Sequence, residues 1–180
     1  MRIISGKFKG RTIRAPKNLP VRPTTDMAKE GLFNILYNRL DFEELTVLDL
    51  FCGTGNISYE FQSRGVQKTT SIDGSFKCTS FVKKTMAELK CANSEVIKAD
   101  VFRFVANATQ KWDIIFADPP YDLKNYKELT ESILSSEILE SDGLLIMEHP
   151  TEIDLSEIAG YQETRKYGRV HFSFFGREEL

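Results

Sequence analysis

A carboxylate, two prolines and an aromatic ring follow one another at Asp118, Pro119, Pro120 and Tyr121, directly after the apolar run Trp112–Ala117. Consecutive prolines fix φ at both positions and remove two backbone donors, leaving a stiff backbone whose carbonyls face outward. That combination suits methyl transfer to an exocyclic amine of a nucleic-acid base. Such a nitrogen is a poor nucleophile, because its lone pair is delocalised into the ring. The Asp118 carboxylate and a proline carbonyl can accept its two N–H groups and favour a pyramidal nitrogen whose lone pair points at the methyl group. They also stabilise the positive charge that develops on nitrogen. Tyr121 can stack on the base and hold it flat, and in-line positioning supplies much of the remaining rate. In an arbitrary sequence the same four residues would be a rigid turn, so their meaning depends on what precedes them.

Three further segments carry candidate ligand contacts. The run Asp49-Leu50-Phe51-Cys52-Gly53-Thr54-Gly55 follows an apolar stretch, and its glycines permit a tight turn and close backbone approach to a ligand. A dinucleotide fingerprint would need a third glycine at position 58; Ser58 stands there, which disfavours a nicotinamide-dependent enzyme. Asp73 can accept hydrogen bonds from ribose hydroxyls, cap a helix beside Gly74 and Ser75, or both. Asp100 can accept from an adenine amino group or cap a helix beginning near Val101.

These residues need a scaffold that gathers them. Strand candidates at Thr46–Leu50, Thr69–Ile72, Ser94–Ile97, Trp112–Ala117 and Gly143–Glu148 alternate with helix candidates at Ile57–Arg64, Phe76–Lys90, Val101–Ala108 and Lys127–Ser136. Such alternation indicates βαβ units and a parallel sheet, with ligands at the carboxyl ends of its strands. Each candidate contact falls at such an end. Tyr161–Tyr167 and Val170–Phe175 flank Gly168 and predict an antiparallel hairpin at a sheet edge. Upstream, RIIS at 2–5 and RTIR at 11–14 predict two short strands around Gly6 and Gly10. Pro16, Pro20 and Pro23 then break regular structure. A helix follows in which Ala28, Leu32, Ile35, Leu36 and Leu40 share one face, with Asp26 as its expected cap. Gly31 inside it is a weak helix former.

The chain has 180 residues, 41% hydrophobic and 28% charged, enough for one domain with a full core. No run is apolar enough to span a bilayer, and the basic N-terminus lacks the apolar stretch of a secretory signal, so a cytoplasmic protein is expected. Cys52, Cys78 and Cys91 have no CxxC spacing and predict small buried thiols, and His149 and His171 are too isolated to argue for a metal. Charge is unevenly placed. Arg2, Lys7, Lys9, Arg11, Arg14, Lys17 and Arg22 give residues 1–25 a charge of +7, against a net charge of −2, so the remainder carries −9. A basic arm on an acidic body points to a polyanionic partner.

The glycine loop with its preceding Asp, then Asp73, then Asp100, resembles the class I S-adenosylmethionine-dependent methyltransferases. That resemblance implies that Asp49, Phe51 and the Gly53–Gly55 backbone face the methionine portion of the cofactor, that Asp73 holds its ribose and that Asp100 meets its adenine. Nearly the whole chain further resembles the RsmD-type 16S rRNA guanine-N2 methyltransferases. RIISGKFKGRTI is similar to their opening hairpin, Arg22-Pro23-Thr24-Thr25-Asp26 through Lys29-Glu30 to Leu32-Phe33-Asn34 is similar to a segment of which Arg22–Asp26 is the most discriminating part, and VLDLFCGTGNIS, Asp118–Tyr121 and LLIMEH complete the match. Asp73 departs from it, since a Glu is expected there.

The fold implied is α/β and Rossmann-like: a central, mostly parallel sheet, an antiparallel C-terminal edge hairpin and a small N-terminal β-hairpin extension. Residues 1–25 would be the RNA-contacting arm and 26–180 the methyltransferase domain. Arg2, Lys7, Lys9, Arg11 and Arg14 would contact phosphates, and Arg22 and Thr24 would lie where arm and cofactor pocket meet. The implied substrate is 16S rRNA or the assembling small subunit, the implied cofactor S-adenosylmethionine without a metal, and the implied state a monomer. A DNA adenine-N6 methyltransferase shares the tetrapeptide logic, but 180 residues leave little room for a target-recognition segment. A protein-glutamine N5 methyltransferase typically has Asn at position 118. A non-enzymatic RNA-binding module would explain the arm but not the ordered carboxylates.

Overall fold

Strand–helix alternation obliges each parallel strand to be followed by a helix that returns across one face of the sheet. The structure, a computed structural model that describes residues 1–16, 19 and 25–176, is built this way. Its elements are α1 (Asp26–Tyr37), β1 (Thr46–Leu50), α2 (Asn56–Ser63), β2 (Lys68–Asp73), α3 (Phe76–Glu88), β3 (Ser94–Lys98), α4 (Val101–Asn107), β4 (Trp112–Ala117), α5 (Tyr126–Ser135), β5 (Leu139–Pro150), β6 (Tyr161–Tyr167) and β7 (Val170–Gly176). They form one seven-stranded sheet in the order β3-β2-β1-β4-β5-β7-β6. Strands β1 to β5 pair in parallel, while β7 runs antiparallel between β5 and β6, as the tail pattern predicts. The order reverses between β1 and β4, and the crevice outside that reversal is where such sheets bind ligands.

Both faces of the sheet are covered, and the period of two in the strands sorts side chains between them. Leu48, Ile115 and Leu145 pack with Leu129 and Ile133 of α5 on one face. Their neighbours Val47, Ile114 and Ile146 pack with Leu32, Phe33 and Leu36 of α1 and Phe61 of α2 on the other. No helix among the described residues is long and apolar enough to cross a membrane.

Two local expectations are corrected. Thr25, not Asp26, caps α1: its hydroxyl accepts from the Ala28 amide at 3.2 Å, and Asp26 becomes the acidic residue of the first turn, where the helix dipole favours it. The opening hairpin is not a pair of strands. It holds one antiparallel bridge, Arg2 to Thr12, flanked by Ile3 N–H to the Arg11 carbonyl and Ile13 N–H to the Met1 carbonyl. The ladder stops there because the Ile4 and Ser5 amides donate to the Glu60 carboxylate of α2, and the Lys7 amide donates to the Ser63 carbonyl.

Gly31 has a packing reason. A Cβ there would lie 2.1 Å from Cε1 of Tyr167, whose ring presses on α1 from the β6–β7 hairpin. Gly31→Ala therefore improves helix propensity and still lowers stability, by about 1–3 kcal/mol. The melting temperature is expected to fall by roughly 2–10 °C; a rise would show that Tyr167 swings aside without cost.

Candidate active site

The segments singled out by sequence converge. A cleft of about 1060 Å³ opens at the carboxyl ends of β1 to β4, and Asp49, Phe51, Gly53, Asp73, Asp100 and the Asp118–Tyr121 tetrapeptide all line it.

The loop after β1 is unusual in its backbone. Phe51, Gly53 and Gly55 have φ of 62°, 52° and 79°. Glycine enters that region freely, whereas Phe51 does so at a strain cost of about 1–3 kcal/mol. Cross-bonds to β2 hold the loop: Cys52 N–H donates to the Ile72 carbonyl at 2.9 Å, and Gly53 N–H to Asp73 Oδ2 at 2.9 Å. Asp73 Oδ1 accepts from the Ser75 amide at 2.7 Å, so this carboxylate ties the loop to the entrance of α3. The cap of α3 is Ser75. Each Asp73 oxygen retains acceptor capacity for a ligand hydroxyl.

Asp49 lies beneath the loop, 1% exposed, and accepts from Ser58 Oγ at 2.5 Å; Ser58 is in turn 2.8 Å from Ser71 Oγ. Burial pushes its carboxyl up to about 7, Ser58 moderates this, and the Asp73 charge adds to it. Ser58, the residue that breaks the dinucleotide fingerprint, is thus the partner Asp49 needs. Asp100 is exposed at the cleft rim and caps α4, accepting from the Arg103 amide at 2.9 Å.

The tetrapeptide leaves β4 with Asp118 N–H donating to the Leu50 carbonyl at 3.3 Å. Burial, followed by the Glu148 and Asp49 charges, holds the Asp118 carboxyl well above its ordinary range. The Tyr126 hydroxyl, at the start of α5, lies 3.3 Å from both the Pro119 and Pro120 carbonyl oxygens and supports the turn from behind. The Pro120 carbonyl also accepts from the Leu123 amide, so Pro119 carries the less committed carbonyl. Tyr121 stands half exposed at the rim.

Sequence reasoning gave no role to Glu148, Tyr126 or Asn56. Glu148 ends the run GLLIME and lies in the cleft; the strand-end rule that found Asp118 finds it too. Arg22 and Thr24 lie outside the described residues. Arg2, Lys7, Lys9, Arg11 and Arg14 are all exposed on the arm. Its anchor is a buried ion pair. Lys29 Nζ lies 3.4 Å from Glu60 and donates to the Arg2 carbonyl at 2.6 Å and to Asn56 Oδ1, in the cleft wall, at 2.7 Å. Burial lowers the Lys29 ammonium, and Glu60 opposes that shift.

This arrangement can be set beside known proteins. Residues 1–176 match the family model described as conserved hypothetical protein 95. The chain belongs to that family. The Bacillus subtilis protein YlbH is 35% identical over 164 residues, covering 89% of this chain and 88% of YlbH. The Escherichia coli protein named ribosomal RNA small subunit methyltransferase D is 28% identical over 181 residues, covering 99% and 90%. The solved structure of yhhF from Escherichia coli superposes with a TM-score of 0.86 at 27% identity, over 100% of this chain and 99% of that one. The conserved hypothetical protein 95 fold seen here is that of the class I methyltransferases.

Proposed function

We infer that the protein transfers a methyl group from S-adenosylmethionine to the exocyclic N2 amine of a guanine in small-subunit (16S) rRNA. One observation carries the reading: Asp118 and Pro119 line the same cleft as the left-handed glycine loop, Asp73 and Asp100. The name of the Escherichia coli relative supports rRNA as the substrate.

The donor set fits the cofactor. The glycine loop and Asp49 suit its charged methionine end, Asp73 its ribose hydroxyls and Asp100 its adenine amine. When bound, S-adenosylmethionine supplies a methyl group made electrophilic by its sulfonium, whose sulfur would keep the C–S electron pair and leave as a neutral thioether. The chain's residues then act on the base. Asp118 and the Pro119 carbonyl each accept an N–H of the target amine, turn its lone pair toward the methyl group and stabilise the developing cation. Asp118 accepts the proton that nitrogen sheds. Tyr121 stacks on the base from the rim.

In this reading the enzyme works in the cytoplasm as a monomer, on 16S rRNA or the assembling small subunit. Residues 1–25 form its RNA-contacting arm on a methyltransferase domain of residues 26–180. Replacing Lys7, Lys9 and Arg11 with Gln should weaken rRNA binding and flatten the slope of log K against log salt by about 2–3. An unchanged slope would remove the arm from the interface. The function itself is tested by mass-spectrometric mapping of rRNA from a deletion strain. Loss of one N2-methylguanine from small-subunit rRNA, restored by the gene, is expected. A complete set of guanine methyl groups would overturn the reading.

A further inference from the structure

We propose that Glu148 reads the guanine, accepting its N1–H while Asp118 and the Pro119 carbonyl hold the neighbouring N2 amine. The proposal rests on the guanine reading above and adds the residue that selects that base.

The sheet places the two carboxylates side by side. β4 and β5 pair in parallel with Ala117 opposite Met147, so Asp118 and Glu148 are the next residues on adjacent strands, which run about 4.8 Å apart. Both line the cleft, and Glu148 is only 3% exposed. Two such carboxylates repel, and part of the upward shift of Asp118 comes from the Glu148 charge. A ligand edge rich in donors relieves that repulsion.

Guanine offers such an edge. Its N1–H lies next to the two N–H groups of N2, giving three donors in a row. Adenine instead turns an unprotonated N1, an acceptor, toward the same position. A carboxylate there attracts guanine and repels adenine, and a buried acceptor left facing a lone pair is a strong discriminator. Supporting the proline carbonyls falls to Tyr126. Glu148 comes from a different strand and can meet a different atom of the base.

The test uses unmodified small-subunit rRNA and the same RNA with 2-aminopurine in place of the mapped target guanine. 2-Aminopurine keeps the N2 amine but has no N1–H. Wild-type enzyme should prefer guanine by about tenfold or more in kcat/KM. Glu148→Gln, whose amide can donate to an unprotonated N1, should shrink or invert that preference while S-adenosylmethionine affinity stays near wild type. Equal losses on both RNAs, with the preference unchanged, would overturn the role and leave the guanine reading standing. Should the variant fail to bind S-adenosylmethionine, the wild-type ratio decides: equal use of both RNAs overturns the proposal. Absence of N2-methylguanine from the wild-type reaction would overturn the guanine reading and this role with it.

Discussion

Asp118→Ala is expected to lower kcat by about a thousandfold, the scale for losing a proton acceptor that also stabilises transition-state charge. S-adenosylmethionine affinity, measured by calorimetry, should stay within a few-fold of wild type, because the cofactor contacts proposed above belong to the β1 loop, Asp73 and Asp100. The folded protein should also become more stable at neutral pH. The Asp118 carboxyl is raised in the folded state, chiefly by burial and then by Glu148 and Asp49. A raised acid binds more protons folded than unfolded, so its contribution to stability falls as pH climbs above the unfolded value near 4. Removing the group removes that penalty. The melting-temperature advantage of the variant should therefore grow from acid toward neutral pH. Joint loss of cofactor binding and turnover would instead make Asp118 a structural residue.

Glu60→Ala is expected to cost about 3–5 kcal/mol, because it strands the Lys29 ammonium in a site with no exposure. Ile4 and Ser5 also lose the acceptor of their amides. The melting temperature should fall by roughly 6–20 °C, and residues 1–16 should become the first site of limited proteolysis. Replacing both partners, Lys29→Met with Glu60→Leu, should recover much of the stability, since a buried pair can be exchanged for apolar packing. The recovered protein would still lack the polar seat of the arm, so its rRNA affinity should remain low. A Glu60→Ala protein that melts as wild type would show that the arm is held by Ile3 and Ile13 alone.

The sheet and its ligand-binding edge were legible because both rest on local signals. Apolar strands such as VLDL and IIFA alternate with helices, and a carboxylate closes each of β2 and β4. What sequence hid is long-range. Nothing local in the chain pairs Lys29 with Glu60, and only the tertiary fold buries them together. Gly31 looked like a defect until Tyr167, far along the chain, supplied the ring that excludes a Cβ. The arm pattern was read as strands, whereas its Ile4, Ser5 and Lys7 amides bond side chain and backbone of α2. Asp26 and Thr25 are both capping residues, and the choice between them was decided by which side chain reaches the Ala28 amide. Glu148 was visible as a letter, but its meaning needs the β4–β5 register.

The placement of β1 has a consequence for biosynthesis. It lies mid-sheet, and its partner on one side, β4, emerges 67 residues later, as the Thr46–Asp113 bonds record. At about 5–20 residues per second, the apolar edge of β1 waits roughly 3–13 s on the ribosome before it is covered. β5 waits again, for β7 of the hairpin that follows it. Nascent chains are therefore most exposed to aggregation and to chaperone capture in that interval. A weakened hairpin should reduce the yield of folded enzyme per translated chain more than the turnover of each molecule that completes the sheet.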